Sequence, residues 1–596
     1  MSAASGDGQD GAPEQTTAAP AAPSPAGPPP AGAPDGPADA PAPAAARASA
    51  LRQPATLIII GMTLLALAVR LYYFTRPGYL LGVTEYDDGS YFGSAVRLVH
   101  GVLPYRDFVF VQPPGITLLM TPVALISELT GTGVGMVLGR LLTVLAGTAG
   151  IAMTGLLVRH RGVLAVLLAS GIMAIHPESI AAAHTILVEP WLVLFCLAGA
   201  LAFFRRDRVS RSGGRLVVAG LAFGFAGVIE AWAIVPVVVL LAILAPQPRR
   251  ALAFAVAVAA GFGIPTVPFA ALAPTSFYQS IIVAQVGSRP SAERVFGLFR
   301  IRLMVGLSDI ISPANALVIG TTLAVIGLVL AGAVVACRAE RRLPAPLEWF
   351  AAATAGIMAL LFLWPPQFHY HFVAFLVPFM AISIALAASG LMGVLRERAG
   401  EARAAAAWGG SGKRHGIARP QLSRLLGGRD PQEALRWGAS VLVMIGIVAG
   451  SVIQVSYERH LASSITPTEI ANVQRAIPAG ACVLADEVSY SVVANRFWSD
   501  RPGCPAIDDG TGVNYALSNG LNTATGAGQV PAVAHLWRSA LAHSQYVWLS
   551  FHQVKRIPWT PAITAYFHRH YVRIPHLGLD ITAYKWVPSG GTATVP

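Results

Sequence analysis

The chain has 596 residues, of which 54% are hydrophobic and only 12% carry a charge. Ordinary soluble domains have roughly a quarter of their residues charged, so this composition excludes a single water-soluble globule. The net charge of +12 raises the question of nucleic-acid binding, but the basic residues lie mostly in short gaps between apolar runs, as in RRDRVSRSGGR at 205–215. That distribution is typical of cytoplasmic loops of a membrane protein and not of a nucleic-acid-binding surface.

The first 54 residues are rich in Ala, Pro and Gly and contain almost no large apolar side chains. Such a segment cannot bury enough apolar surface to order itself, so 1–54 is predicted to be a disordered cytoplasmic tail. It lacks the short apolar core beside a cleavage site that a signal peptide needs, and the apolar run at 55–74 is therefore predicted to be an uncleaved anchor.

Long apolar runs then continue to residue 455 and indicate membrane-spanning helices. Spans are predicted near 55–74, 134–158, 162–176, 186–204, 215–230, 232–246, 251–272, 313–337, 347–364, 370–392 and 437–454. The predicted fold class is a polytopic α-helical membrane protein with about eleven transmembrane helices.

The distribution of Lys and Arg between the connections predicts the orientation of these spans in the membrane. With the N-terminus inside, the inner connections hold 21 of the 42 Lys and Arg residues, whereas the outer connections between spans hold seven. This asymmetry agrees with the positive-inside rule. An odd number of spans places 456–596 on the outer face, and a bacterial cytoplasmic membrane is the expected location.

The region 456–596 has the composition of a small soluble α/β domain. Strand-like runs ACVLADEV and QYVWLS flank a helical VPAVAHLWRSALAHS. Cys482 and Cys504 both lie here, and an oxidising compartment permits a disulfide between them, worth about 3 kcal/mol on the chain-entropy model. Two free thiols are the alternative; a zinc site is disfavoured because neither Cys has a Cys or His partner at ligand spacing.

Polar residues concentrate in the first outer loop, 75–133. The stretch 82–115 carries Glu85, Asp87, Asp88, Arg97 and Asp107 beside a predicted span. Carboxylates so close to hydrocarbon are costly unless solvated or paired, which makes them functional candidates. The run SYFGSAVRLVHGV has apolar residues at helical spacing and predicts an amphipathic surface helix. Either Asp could instead cap that helix.

Later segments bring further polar residues to the same side. Candidate substrate-binding residues are Glu189 at the start of the fourth span, Glu230 where the fifth span meets the outer surface, and His369 and His371 after Trp364. Each could equally be an ordinary interfacial residue.

The outer loop 273–312 adds basic side chains, among them Arg289 and Arg294. They could hold a phosphate through charge-assisted hydrogen bonds or could contact lipid headgroups.

These features together resemble the GT-C-type membrane glycosyltransferases that use polyprenyl-phosphate sugars, which include protein mannosyltransferases, aminoarabinose transferases and arabinosyltransferases. The run DDGSYFGSAVR resembles their acidic pair in the first outer loop, and GVLPYRDFVFVQPPG resembles their Gly-x-x-Pro-Tyr-x-Asp stretch and Pro-Pro pair. In and beside these runs, the candidate substrate-binding residues are Glu85, Arg97, Tyr105 and Asp107. VEPW at 188–191 resembles the Glu-Pro that opens a later span.

The resemblance implies a direct, inverting displacement on the outer face, with Asp87 as the base that takes the proton of an acceptor hydroxyl and Asp88 orienting the acceptor or positioning the base. Arg289, Arg294, His369 and His371 are then candidates to stabilise the lipid-phosphate leaving group. A divalent metal could be held by so many carboxylates, although no ligand spacing demands one, and no cofactor is predicted.

The implied partners are a polyprenyl-phosphate-linked sugar, membrane lipid, and a glycan, lipid or protein acceptor. Two other classes stay open. A transporter or flippase of lipid-linked sugars commonly shows internal repeats and midplane polar residues, whereas here no repeat is evident and the acids lie at one face. A non-catalytic envelope sugar-binding protein also fits the outer domain.

Overall fold

Each of the eleven predicted spans coincides with a helix in the computed structural model, which describes residues 53–284, 297–308, 314–338, 343–364, 368–408, 431–459, 465–578 and 581–588. The first 52 residues of the predicted tail, and Arg289 and Arg294, lie outside these ranges. In chain order the helices are α1 Pro54–Phe74, α2 Tyr86–Val99, α3 Gly115–Thr130, α4 Thr132–Val158, α5 Val163–Ile175, α6 Pro177–Ala181, α7 Glu189–Phe203, α8 Gly213–Ile229, α9 Ile234–Leu244, α10 Pro248–Leu272, α11 Pro274–Tyr278, α12 Gly297–Met304, α13 Asn315–Arg338, α14 Pro346–Leu363, α15 Val373–Trp408 and α16 Pro431–Glu458.

Seven of these helices are long and apolar enough to cross a membrane, counted over the described ranges only. The predicted spans at α5, α7, α8 and α9 are shorter apolar helices, and α3 is a further one that was not predicted as a span. Large apolar side chains on the outer helix surfaces are exposed, as at Leu64 and Leu323. Such surfaces need hydrocarbon around them, so the protein is a multi-pass membrane protein.

The backbones of helices α8 and α10 approach each other closely because both helices have glycine at the contact. A Cβ at Gly224 would lie 2.2 Å from the carbonyl oxygen of Val258, and one at Gly261 would lie 2.4 Å from that of Leu221. Close backbone approach through small residues is a common way for membrane helices to pack.

Ion pairs connect neighbouring elements at the C-terminal end of α4. Arg161 forms ion pairs with Asp207, in the β1 (Phe204–Arg205) to β2 (Arg208–Val209) hairpin, and with Glu348 of α14, at 2.8 and 2.7 Å. His160 contacts Asp207 at 2.7 Å. Because α4 has 27 residues, this cluster lies about 40 Å from the start of that helix.

The chain after α16 forms a mixed sheet with helices around it. Its elements are α17 Pro467–Ala476, β3 Val483–Ala485, α18 Val488–Val493, α19 Gly510–Leu517, α20 Pro531–His543, β4 Tyr546–Leu549, α21 Gln553–Arg556, α22 Pro561–His570, β5 Tyr571–Arg573 and β6 Thr582–Trp586. The strand order is β3-β4-β6-β5, with β3 parallel to β4 and the other pairs antiparallel. Trp537 and Tyr571 are fully buried in its core. Cys482 and Cys504 form a disulfide with a Cα–Cα distance of 5.6 Å.

This C-terminal region, residues 465–588, packs directly on α2 and on the start of α4. Thr132 Oγ1 donates to the carbonyl of Val492 at 2.6 Å, and the Gly133 amide donates to Asn495 Oδ1 at 2.8 Å. The Gly89 amide donates to Ser489 Oγ at 3.1 Å, and a Cβ at Gly89 would lie 2.3 Å from that oxygen. Glycine after the acidic pair therefore lets α18 approach the helix.

Candidate functional site

A cavity of about 530 Å³ lies where the membrane helices meet the C-terminal region. Its polar walls come from the loop before α2 and the start of that helix, from the start of α7, from the end of α8, from the turn before α15, and from the C-terminal region. The acidic and basic lining residues are Glu85, Asp87, Glu189, Glu230, His369, His371, Asp509, His552, Lys555 and Arg556. The structure thus brings together six of the predicted site residues.

Asp87 presents a half-buried carboxylate to this cavity. Its side chain is 28% exposed, and its Oδ2 lies 3.9 Å from Nε2 of His371. Burial raises the pKa of Asp87 to about 8; the charge of His371 opposes this shift and that of Glu85 adds to it. A carboxylate whose pKa lies near neutral pH is suited to accept a proton in catalysis.

His371 connects Asp87 to a second acid. Its Nδ1 lies 2.7 Å from Oε1 of Glu189, and both side chains are buried. A histidine whose second nitrogen contacts a carboxylate has its ring orientation fixed. Glu85 is held on the other side, where it accepts a hydrogen bond from the Tyr370 hydroxyl at 2.9 Å. Glu230 accepts one from the Ala231 amide at 3.1 Å and still borders the cavity.

Capping does not account for the acidic pair. Glu85 occupies the N-cap position of α2, where its carboxylate accepts from the Tyr86 amide at 3.3 Å. Among the described residues, none donates a hydrogen bond to the carboxylate of Asp87.

Asp88 was expected to orient the acceptor or to position the base, and because it does not line the cavity, the structure disfavours the first of these roles. It is fully buried, and its Oδ2 accepts from Nε and Nη2 of Arg140 at 3.0 and 2.7 Å. Its Oδ1 accepts from the Ser489 hydroxyl at 3.1 Å. Helical geometry explains the difference, since successive residues point about 100° apart. Asp88 anchors α2 to α4 and to the C-terminal region, which leaves the positioning role.

Three predicted substrate-binding residues also lie away from this cavity. Arg97 is buried in an ion pair with Asp508 at 2.5 Å. Tyr105 is buried and donates to the Gln112 carbonyl at 2.6 Å, and Asp107 closes the turn by accepting from the Leu103 amide at 2.7 Å. Tyr105 and Asp107 border a separate cavity of about 650 Å³ beyond the 108–112 segment.

The C-terminal region contributes site residues that were not predicted from the sequence. Asp509, which accepts from the Tyr86 hydroxyl at 2.8 Å, and the cations Lys555 and Arg556 come from segments more than 400 residues after the acidic pair. The acidic run in PAIDDG and the scarcity of lysine, present only at 413, 555 and 585, were the available signals.

Metal-ligand chemistry has little support from side-chain placement. Across the described ranges, no group of three or more His, Cys, Asp and Glu side chains is arranged to hold a metal ion.

Comparisons with known proteins agree with this picture. Residues 110–363 match the model of glycosyltransferase family 87. No curated protein matches the chain by sequence. The fold is similar to the crystal structure of ArnT from Cupriavidus metallidurans in the apo state, with a TM-score of 0.53 and 13% identity over 89% of this chain and 98% of that chain.

ArnT from the same organism bound to undecaprenyl phosphate gives a TM-score of 0.52 and 15% identity over 90% of this chain and 99% of that chain. Identities this low show a shared fold. The chain therefore shares its fold with ArnT over most of its length, and its membrane part matches glycosyltransferase family 87 over residues 110–363.

Proposed function

We propose that the protein transfers a sugar from a polyprenyl-phosphate donor to a hydroxyl group of a cell-envelope acceptor, with Asp87 as the catalytic base. The contrast within the acidic pair carries the proposal: Asp88 is fully buried against Arg140, whereas Asp87 opens into the cavity. Two neighbouring carboxylates thus have different environments, which is how an acid–base residue is distinguished from a structural one.

The proposed reaction is a single displacement. The acceptor oxygen forms a bond to the anomeric carbon as the bond between that carbon and the phosphate oxygen breaks. The electron pair leaves with the polyprenyl phosphate, and the hydroxyl proton passes to Asp87, which contributes on the order of 10²–10⁴ in rate. One displacement inverts the anomeric centre.

His371 and Glu189 act on the base and not on the sugar. The buried Glu189 contacts Nδ1 of His371, which leaves Nε2 facing Asp87 at 3.9 Å. The charge of an imidazole fixed in this way favours the ionised form of Asp87 and opposes the effect of burial on its pKa. We assign His371 as a positioning residue.

The lipid-linked donor and the outer face belong to the proposal as well. ArnT, whose fold this chain shares, has been solved with undecaprenyl phosphate. Charge bias between the spans favours an outer location for the cavity and for 456–596. The Cys482–Cys504 disulfide fits an oxidising compartment on that side.

Purified protein in lipid vesicles, supplied with a radiolabelled polyprenyl-phosphate sugar and an envelope extract, tests the proposal. We expect the label to leave the lipid and appear in acceptor material, with polyprenyl phosphate released in equal amount. Label that crosses the bilayer while still attached to the lipid would instead identify a transporter. After reduction, an impermeant thiol reagent should reach the partly exposed Cys504 from the outside of intact cells.

A further inference from the structure

The cavity is strongly acidic on its membrane side. Four of its carboxylates, Glu85, Asp87, Glu189 and Glu230, come from the membrane part, whose described basic contributions are only the histidines His369 and His371. A phosphate-bearing substrate needs positive charge near it. Across the described lining, the permanently charged cations are Lys555 and Arg556, and the C-terminal region supplies both.

The side chain of Arg556 is held by residues that directly follow strands β3 and β4. Its Nη1 contacts Asp486, Glu487 and the Ser550 hydroxyl at 3.1, 2.7 and 2.8 Å, and its guanidinium lies 4.2 Å from the centre of the Tyr86 ring. Two carboxylates offset its charge. The side chain of Lys555, one residue earlier, is exposed at the cavity wall.

The same turn, residues 550–556, carries two exposed apolar side chains. Phe551 is 92% exposed and Val554 is 56% exposed. Within 465–578 and 581–588, they are the only large hydrophobic side chains with such exposure. Exposed apolar residues confined to one turn of a well-packed region mark a binding surface.

We propose that the turn 550–556 binds the polyprenyl-phosphate end of the donor. Lys555 contacts the phosphate, Arg556 holds the turn against the cavity, and Phe551 and Val554 contact the first isoprene units. A ligand with an anion joined to a hydrocarbon chain matches a surface that alternates cationic and apolar side chains. The inference rests on the proposed function and adds that the C-terminal region completes the donor site.

Binding of undecaprenyl phosphate to the full-length protein in phosphatidylcholine nanodiscs tests the inference without requiring turnover. Lys555→Gln should weaken binding on the order of tenfold, because a charge-assisted contact is lost. Lys555→Arg should retain most of the affinity. Lys585→Gln is the matched control, since Lys585 is exposed on β6 and does not line the cavity.

Phe551→Ser tests the proposed contact with the isoprene units. This variant should weaken the binding of undecaprenyl phosphate severalfold and leave the binding of a water-soluble alkyl phosphate unchanged. Equal affinities of the wild type and Lys555→Gln for undecaprenyl phosphate would overturn the inference. It would also be overturned if phosphatidylglycerol competed as effectively as undecaprenyl phosphate, because the turn would then be a general surface for lipid headgroups. Absence of binding by the wild type would instead contradict the proposed function itself.

Discussion

Two adjacent aspartates show how much a single position changes the chemistry of a carboxylate. Asp88 has an arginine partner and no exposure, whereas Asp87 borders a cavity and faces a histidine. The sequence predicts the pair just before an amphipathic surface helix; the helix is present, but it begins at Tyr86, so both aspartates lie in its first turn, and residues 88–97 are buried. The sequence could not separate the two roles, because the partner Arg140 lies 52 residues later, in another predicted span.

Replacing Asp88 should destabilise the protein. Asp88→Asn leaves Arg140 buried without a carboxylate, and breaking a buried pair in this way costs about 3–5 kcal/mol. Thermal unfolding in detergent measures the effect. Asp107→Asn is the control, because its exposed pair with Arg106 should contribute less than about 1 kcal/mol. If Asp88→Asn were stable and bound the acceptor more weakly, Asp88 would contact the acceptor, which its buried position argues against.

Activity should depend on the ionisation of Asp87. Burial raises its pKa to about 8, so the carboxyl is mostly protonated below that pH and cannot accept a proton. We expect kcat/KM to rise with pH by about tenfold per unit below 8 and to level off above it. A pH profile of sugar transfer checks this. A flat profile between pH 6 and 8 would show that another group is the base.

At the scale of elements, the cavity forms where helices end. Glu189 begins α7, Glu230 follows α8, and His371 lies in the turn before α15. Apolar runs predict where such helices start and stop, so these residues could be assigned to one face from the sequence. Tyr105 and Asp107 were predicted from the resemblance, and the structure places them beside the separate cavity, where both side chains hydrogen-bond to the backbone of their own loop.

The sequence predicts secondary structure elements of the C-terminal region but not their contacts with the candidate site. Strand-like runs and a helical run predict β3, β4 and α20, and the structure shows all three. Nothing local in those segments indicates that Asp509 contacts Tyr86 or that α18 packs on Gly89. Such contacts depend on how the sheet packs against the membrane helices, which is a long-range property.

At the scale of the molecule, the candidate site is lined by residues of both the membrane helices and the C-terminal region. The membrane helices contribute the proposed base and its positioning residues, and the C-terminal region contributes the cations and closes the wall. Buried contacts such as Arg97 with Asp508 and Asp88 with Ser489 hold the two together. In the proposed reaction, Asp87 on the membrane side activates the acceptor, and Lys555 on the C-terminal side binds the leaving phosphate.

Sugar transfer by Asp87→Asn, measured together with undecaprenyl-phosphate binding, tests the central claim most directly. Asn keeps the size of the side chain but cannot accept the proton, so kcat should fall on the order of 10²–10⁴ while binding stays near that of the wild type. Asp107→Asn, outside the cavity, should turn over normally. Near-normal turnover by Asp87→Asn would contradict the account.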